Sequence, residues 1–203
     1  MGKKLHETRE RLLQQGLALM SRDGMAGVTL GQLAEQVGMS KSGVFAHFRS
    51  KDEVQIGLLE QMARVAAPVV VEPAMAAPEG LPRLEALVSN WLGWASRAGL
   101  PGGCPVAAAM FELDDAEGPV RDKVAAMEAE WRDLLEGFTR WAVELGHLRA
   151  DLDVEQFVWE LCGIYLSHHT SQRFLRRPDS DNRAFTAFQA LLERATPEKS
   201  VRR

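Results

Sequence analysis

No disulfide framework, leader segment or membrane span is expected of this chain. Its two cysteines, Cys104 and Cys162, are too few to cross-link a small secreted fold. Their expected role is that of small buried apolar residues. Cys104, at an expected helix start that would lower a thiol pKa, is the better placed of the two for a redox role. The opening Met1-Gly2-Lys3-Lys4-Leu5-His6-Glu7 is charged and lacks the apolar stretch of a signal peptide. His6 stands where a myristoylation motif needs Ser or Thr. The longest apolar run, Val65–Val71, is interrupted by Pro68 and is far too short to span a bilayer. There is no glycine-rich phosphate loop and no nucleophile elbow, and no internal repeat. The expectation is a cytoplasmic protein with no membrane partner, no cofactor and no bound metal, and not an enzyme.

An overall basic charge is missing too: the formal net charge is -4 at pH 7. The charge is uneven, however. Residues 1–55 hold eight Lys and Arg against six Asp and Glu, a net +2, and the remainder holds 16 against 22, a net -6. A mildly basic head on an acidic body suits nucleic-acid binding confined to one end. At 203 residues with 46% hydrophobic content, one or two small domains with a real core are expected.

The most informative segment is Val28–Glu53. Thr29 followed by Gln32 forms a capping box, and Val28 with Leu33 a hydrophobic staple around the same cap. Leu30, Leu33, Ala34 and Val37 then recur on one helical face. Gly38 stops that helix, because glycine takes the left-handed C-terminal position without strain. Ser40 caps the next helix, with Met39 and Val44 as its staple and Val44 and Phe48 as its inner face. Ser50 and Glu53 make a second capping box, so a further helix starts near Lys51. Two helices joined by a short turn containing Gly are the helix-turn-helix unit.

In such a unit the N-terminal residues of the second helix meet base edges in the major groove. Its outward positions here are Lys41, Ser42, Gly43, Ala46 and His47. Lys41 can donate to guanine O6 and N7, and Ser42 can donate or accept. Gly43 has no side chain to hold the helix backbone away from DNA; glycine is costly within a helix, so its presence has a reason beyond propensity. Thr29, His47 and Lys51 are placed for phosphates, which fix register without reading sequence.

The run Thr29…Leu33-Ala34…Val37-Gly38-Met39-Ser40-Lys41-Ser42-Gly43-Val44-Phe45-Ala46-His47-Phe48-Arg49-Ser50-Lys51-Asp52-Glu53 resembles the DNA-binding signature of the TetR (tetracycline-repressor-like) transcriptional regulators, over about residues 5–55. The resemblance implies a dimeric, ligand-released repressor with a variable C-terminal sensor domain. The candidate DNA contacts are Thr29, Ser40, Lys41, Ser42, Gly43, Phe45, His47 and Lys51. The family's usual tyrosine, whose hydroxyl commonly touches a phosphate, is Phe45 in this chain, which has no hydroxyl; the resemblance carries the family's His and Lys phosphate contacts over to His47 and Lys51.

The expected fold is all-α: a three-helix helix-turn-helix head over residues 1–50 and a helical ligand-binding and dimerisation domain over residues 51–203. The first helix is expected at about Leu5–Arg22. Pro68, Pro73 and Pro78 are expected to limit the helix that begins at Lys51. Further helices are expected at Leu81–Ala98, Cys104–Leu113, Val120–Leu145, from Asp153 to about Phe174, and at about Asp181–Ala195. In the helix after Asp153, Phe157, Leu161, Ile164 and His168 form one stripe, widened by Val158, Cys162, Tyr165 and Leu166. Such width predicts burial on two sides, one against the chain itself and one against a second copy. Helices at about 153–174 and 181–195 would then form a twofold four-helix interface. Two recognition helices would lie about one DNA turn apart, ~34 Å or a multiple, on palindromic double-stranded DNA.

All five tryptophans lie outside the head. Within that aromatic and Met set, Trp91, Met110, Met127, Trp131 and Phe157 are the expected lining of an apolar effector pocket; for any one of them taken singly, ordinary core packing is the simpler reading. Asp114, Asp115 and Glu117 read as a solvated helix end. His168 and His169 are adjacent on a helix and point in different directions, which disfavours a shared metal. Two other functions stay open: a DNA-binding regulator without an effector, and an enzyme on the same helical scaffold.

Overall fold

Caps and breakers set the helix ends, and they produce ten helices among residues 2–197, which the computed structural model describes, with backbone alone for residues 2–5. These are α1 (Gly2–Asp23), α2 (Leu30–Val37), α3 (Lys41–Phe45), α4 (Lys51–Met75), α5 (Leu81–Trp91), α6 (Trp94–Arg97), α7 (Pro105–Glu112), α8 (Pro119–Glu144), α9 (Val154–Arg173) and α10 (Ser180–Ala195). No strand occurs among the described residues. The chain gathers into two compact units, Met1–Ala67 with Ala95–Glu128, and Pro68–Trp94 with Ala129–Arg203. Helices α4 and α8 each give a stretch to both.

In the first unit α1 packs on α2 and α2 on α3. Leu12, Leu13, Leu17 and Met20 of α1, Leu33 of α2, Val44 of α3, Phe48, and Leu58 and Leu59 of α4 are all essentially without solvent contact. Burial of each such side chain is worth about 1.5–3 kcal/mol, and together they fix the head. Arg9 lies over the Phe48 ring, 5.0 Å from its centre.

The connector between α1 and α2 is held from two sides. Gln55 of α4 donates its amide to the Met25 carbonyl at 2.9 Å. The Glu112 carboxylate of α7 accepts from the Met25 and Ala26 N–H groups at 2.8 and 3.2 Å. The loop before α7 docks on the end of α1: Gly103 N–H donates to the Ser21 carbonyl at 3.1 Å, and Gly102 N–H to the Ser21 hydroxyl at 3.3 Å. A Cβ at Gly102 would stand 1.6 Å from that carbonyl oxygen, so only glycine fits.

Two expectations need correction. Of the three prolines expected to limit α4, Pro68 and Pro73 lie inside it: the helix runs through both to Met75 and stops ahead of Pro78. Each proline removes one backbone hydrogen bond and crowds a carbonyl four residues back, at a cost of ~3 kcal/mol. Buried Val70 and Ala74 hold this stretch in the second unit, and the Asn90 side chain donates to the Val70 carbonyl at 3.3 Å. This helix is also long and apolar enough to cross a membrane by length and composition, although Leu58, Leu59 and Ala74 are spent on the protein's own core. The single helix expected over Leu81–Ala98 is instead α5 and α6, parted at Leu92-Gly93, where Gly93 is left-handed at φ 72°.

In the second unit α9 packs on α10. Asp153 caps α9 by accepting from Gln156 N–H at 3.0 Å. Most of both stripes of α9 is turned inward: Phe157, Val158, Leu161, Cys162, Tyr165 and His168 are buried, and Ile164 and Leu166 are half-buried. Of the widening set, Val158, Cys162 and Tyr165 belong to this unit's own core. Around α9 and α10, Trp159, Phe174, Leu175 and Phe185 are left exposed. His168 is satisfied by Asp181, 2.7 Å from its Nε2. Cys104 and Cys162 are both free and buried.

Gly102→Ala is expected to destabilise the chain by about 1–3 kcal/mol, since the added methyl must push apart two backbones. Glu112→Ala leaves two part-exposed N–H groups to water and should cost about 1 kcal/mol. Urea denaturation measures both; a Gly102→Ala variant as stable as its parent would contradict the docking of this loop on α1.

Candidate nucleic-acid interface

A five-residue helix is too short to persist without outside support, and α3 has support at its start and underneath. Ser40, extended at φ -73° and ψ 153°, accepts from Gly43 N–H at 3.1 Å. Val44 and Phe48 bury its underside completely. Upstream, Thr29 and Gln32 form the expected reciprocal box: Gln32 N–H donates to the Thr29 hydroxyl at 3.1 Å, and Thr29 N–H to the Gln32 side chain at 3.2 Å. Gly38 is left-handed at φ 68°, and Met39 N–H closes the end of α2 on the Ala34 carbonyl at 2.9 Å. This turn aims α3 across α2.

Downstream, Glu53 N–H donates to the Ser50 hydroxyl at 3.1 Å. The Glu53 carboxylate, however, accepts from Arg49 N–H at 2.8 Å rather than from Ser50, so the second expected box is only half formed.

Lys41, Ser42, Phe45 and Ala46 are exposed together, with Gly43 and His47 half-buried beside them. Thr29 and Lys51 are exposed at the starts of α2 and α4. Lys41 leans back over Gly31: a Cβ built there would be 3.1 Å from Lys41 Cε, 3.5 Å from its Nζ and 3.7 Å from the Thr29 hydroxyl. The ammonium thus joins the N-terminus of α2, where backbone N–H groups and the helix dipole already favour an anion. The Ser42 and Ser40 hydroxyls are 3.0 Å apart. Phe45 is 52% exposed, an apolar plate in the middle of the face. His47 Nδ1 is buried without a hydrogen-bond partner, so its Nε2 is the nitrogen left for an outside group.

Sequence patterns placed the whole face but missed what holds its base. Glu112 lies 87 residues from Met25, a separation that leaves no local pattern. The second expected set is divided. Trp91 and Trp131 meet at 5.1 Å, and Phe157 is buried in the same unit, while Met110 and Met127 belong to the other unit. Tyr165, absent from the expected set, stacks flat on Trp91 at 4.0 Å.

Residues 12–55 match the family of bacterial regulatory proteins, tetR family, and residues 80–188 match the tetracyclin repressor-like C-terminal domain. The chain belongs to the TetR family. It is a transcriptional regulator by kinship, with the family's N-terminal DNA-binding domain and a helical C-terminal domain. It is 27% identical over 175 residues to the nucleoid occlusion factor SlmA of Escherichia coli O1:K1 / APEC, a match covering 85% of this chain and 88% of that protein. A TetR transcriptional regulator from Chloroflexus aurantiacus J-10-FL shares its fold, with a TM-score of 0.86 and 23% identity over 96% of this chain and 98% of that one. AibR, solved with isovaleryl coenzyme A and operator DNA, has a TM-score of 0.68 and 17% identity over 93% and 98% of the two chains.

Gly43 gives this TetR-family face a clean test. A Cβ there meets the flexible end of the Met39 side chain at 3.2 Å and the Ser40 hydroxyl at 3.3 Å, with the Met39 Cβ at an ordinary 3.9 Å, so a small shift of the Met39 end and a few tenths of an ångström at the Ser40 cap accommodate it. Gly43→Ala should keep the fold, with stability unchanged or raised by up to about 1 kcal/mol, yet weaken binding to duplex DNA at least several-fold. Thermal melting and a fluorescence anisotropy titration decide it. Undiminished DNA binding would show that the backbone of α3 does not need to come close.

Proposed function

We propose that this chain is a homodimeric, ligand-responsive repressor that binds a palindromic operator and leaves it when a small, mainly apolar effector binds. One observation carries the reading. The doubly capped α2–turn–α3 unit presents Lys41, Ser42, Gly43 and Phe45 on one exposed face, with Thr29, His47 and Lys51 at its margins. Lys41 and Ser42 would read base edges, and Thr29, Ser40, His47 and Lys51 would seat the phosphates. Residues 1–50 then serve as the DNA-binding head and 51–203 as the sensor and dimerisation part.

The exposed apolar residues Trp159 on α9 and Phe185 on α10, at 65% and 36% exposure, supply the faces for the second copy. Twofold pairing sets two recognition helices on successive turns of DNA, which is why the operator is palindromic. Within the second unit, Trp91, Trp131 and Phe157 are the proposed effector contacts. AibR, crystallised with both an acyl coenzyme A and its operator, illustrates that this fold accommodates both kinds of partner. The effector acts only through a difference in its affinity for the DNA-bound and released arrangements. A cytoplasmic location and the lack of a catalytic role go with this reading.

The alternative is a regulator that holds its DNA without an effector. Selection from random duplexes at fixed salt, followed by release assays with a compound panel, separates the two. On the selected site, Lys41→Ala should cost ~1–3 kcal/mol and relax one base position. Lys51→Ala should weaken all sequences alike and lower the salt slope by about one. A Lys41→Ala variant with unaltered sequence preference would refute the assignment of α3 as the reading helix.

A further inference from the structure

Three aromatic rings of the second unit form one assembly. Trp91 lies flat on Tyr165, centres 4.0 Å apart and planes 9° apart, and meets Trp131 at 5.1 Å with a 59° tilt. The two indole N–H groups bordering it fare differently. Trp94 Nε1 donates to the Tyr165 hydroxyl at 3.0 Å. Trp131 Nε1 is fully covered and donates to nothing.

A covered indole N–H nearly always has a partner, and one without it weakens the arrangement that covers it. Packing alone does not call for a tryptophan here, since a phenylalanine would fill much of the space with no donor to satisfy. A donor without a partner, beside the Trp91–Tyr165 stack, is instead suited to a ligand that brings an acceptor.

We propose that Trp131 Nε1 is the polar anchor of the effector site. The effector class is a flat, unsaturated molecule bearing a carbonyl or carboxylate oxygen next to its ring system. The ring would lie against the aromatic assembly and the oxygen would accept from Trp131. This rests on the ligand-responsive reading above. A purely apolar ligand leaves the donor unmet. A quaternary ammonium offers no acceptor, and Tyr165 already occupies one face of Trp91. Only an acceptor-bearing ring gains a bond that the unliganded arrangement lacks, and such a difference is what shifts an equilibrium.

The test uses two isosteric probes on the full chain, 2-acetylnaphthalene and 2-isopropenylnaphthalene, which differ in an oxygen against a methylene. Equilibrium dialysis is expected to show the acetyl probe binding about three- to tenfold tighter, the worth of one net hydrogen bond. In Trp131→Phe the two affinities should converge, with a melting temperature no lower than the parent's. Equal affinities in the unmodified chain overturn the proposal, as does a preference that survives in Trp131→Phe. Binding of neither probe also overturns it. If some other compound then releases the selected duplex, the ligand-responsive reading stands without this anchor; if no compound does, that reading falls as well.

Discussion

The proposed DNA-facing surface depends on the attachment of a helix too short to hold itself. Helix α3 has five residues, well under the ~12–15 at which an isolated helix becomes even marginal in water. Its order comes from outside: the Ser40 cap, the left-handed Gly38 turn, and the insertion of Val44 and Phe48 into the core of α1, α2 and α4. Because the underside is wholly occupied by that insertion, everything left on α3 is free to face a partner. The proposed reading surface is the remainder after the anchoring requirement is met, which is why it can be so small and still be rigid.

The same logic extends to the connector before α2. Its backbone bonds to itself at Gly24 and Val28, and side chains from distant helices take up further polar groups: Gln55 on one side and Glu112 on the other. Loop residues 102 and 103 hold the end of α1 at Ser21. Any rearrangement of α7 thus meets the head through directed hydrogen bonds and a backbone contact that excludes even a methyl group. An effector-responsive regulator needs a joint of this kind, in which displacement is transmitted and not absorbed.

What the sequence made legible was chemistry local to a few residues. The caps at Thr29, Ser40 and Asp153 and the stop at Gly38 follow from side-chain and backbone preferences within four positions, and each is present. Where tertiary packing decides, local reading failed. Pro68 and Pro73 look like breakers, but buried Val70 and Ala74 carry the helix past them. Gly93 sits in an apolar run that reads as one helix, yet its left-handed backbone ends α5. On α9, two stripes of apolar residues signalled one side against the chain itself and one against a second copy; most of both stripes packs within the chain, Ile164 and Leu166 stay half-buried, and exposed apolar surface falls on Trp159 and Phe185. Glu112 carried no signal, because a carboxylate that satisfies a loop 87 residues away looks like any solvated acid. In the sensor set, Tyr165 was visible only as part of a stripe, while its flat stack on Trp91 required the fold.

The central claim is that two α3 helices read one DNA site as a symmetric pair. Hydroxyl-radical footprinting of the duplex enriched by selection tests it most directly. The account predicts two equivalent protected half-sites on one face of the helix, about one turn (~34 Å) or a multiple apart. A single protected segment without a symmetric mate, or uniform protection that disappears with moderate salt, would contradict it.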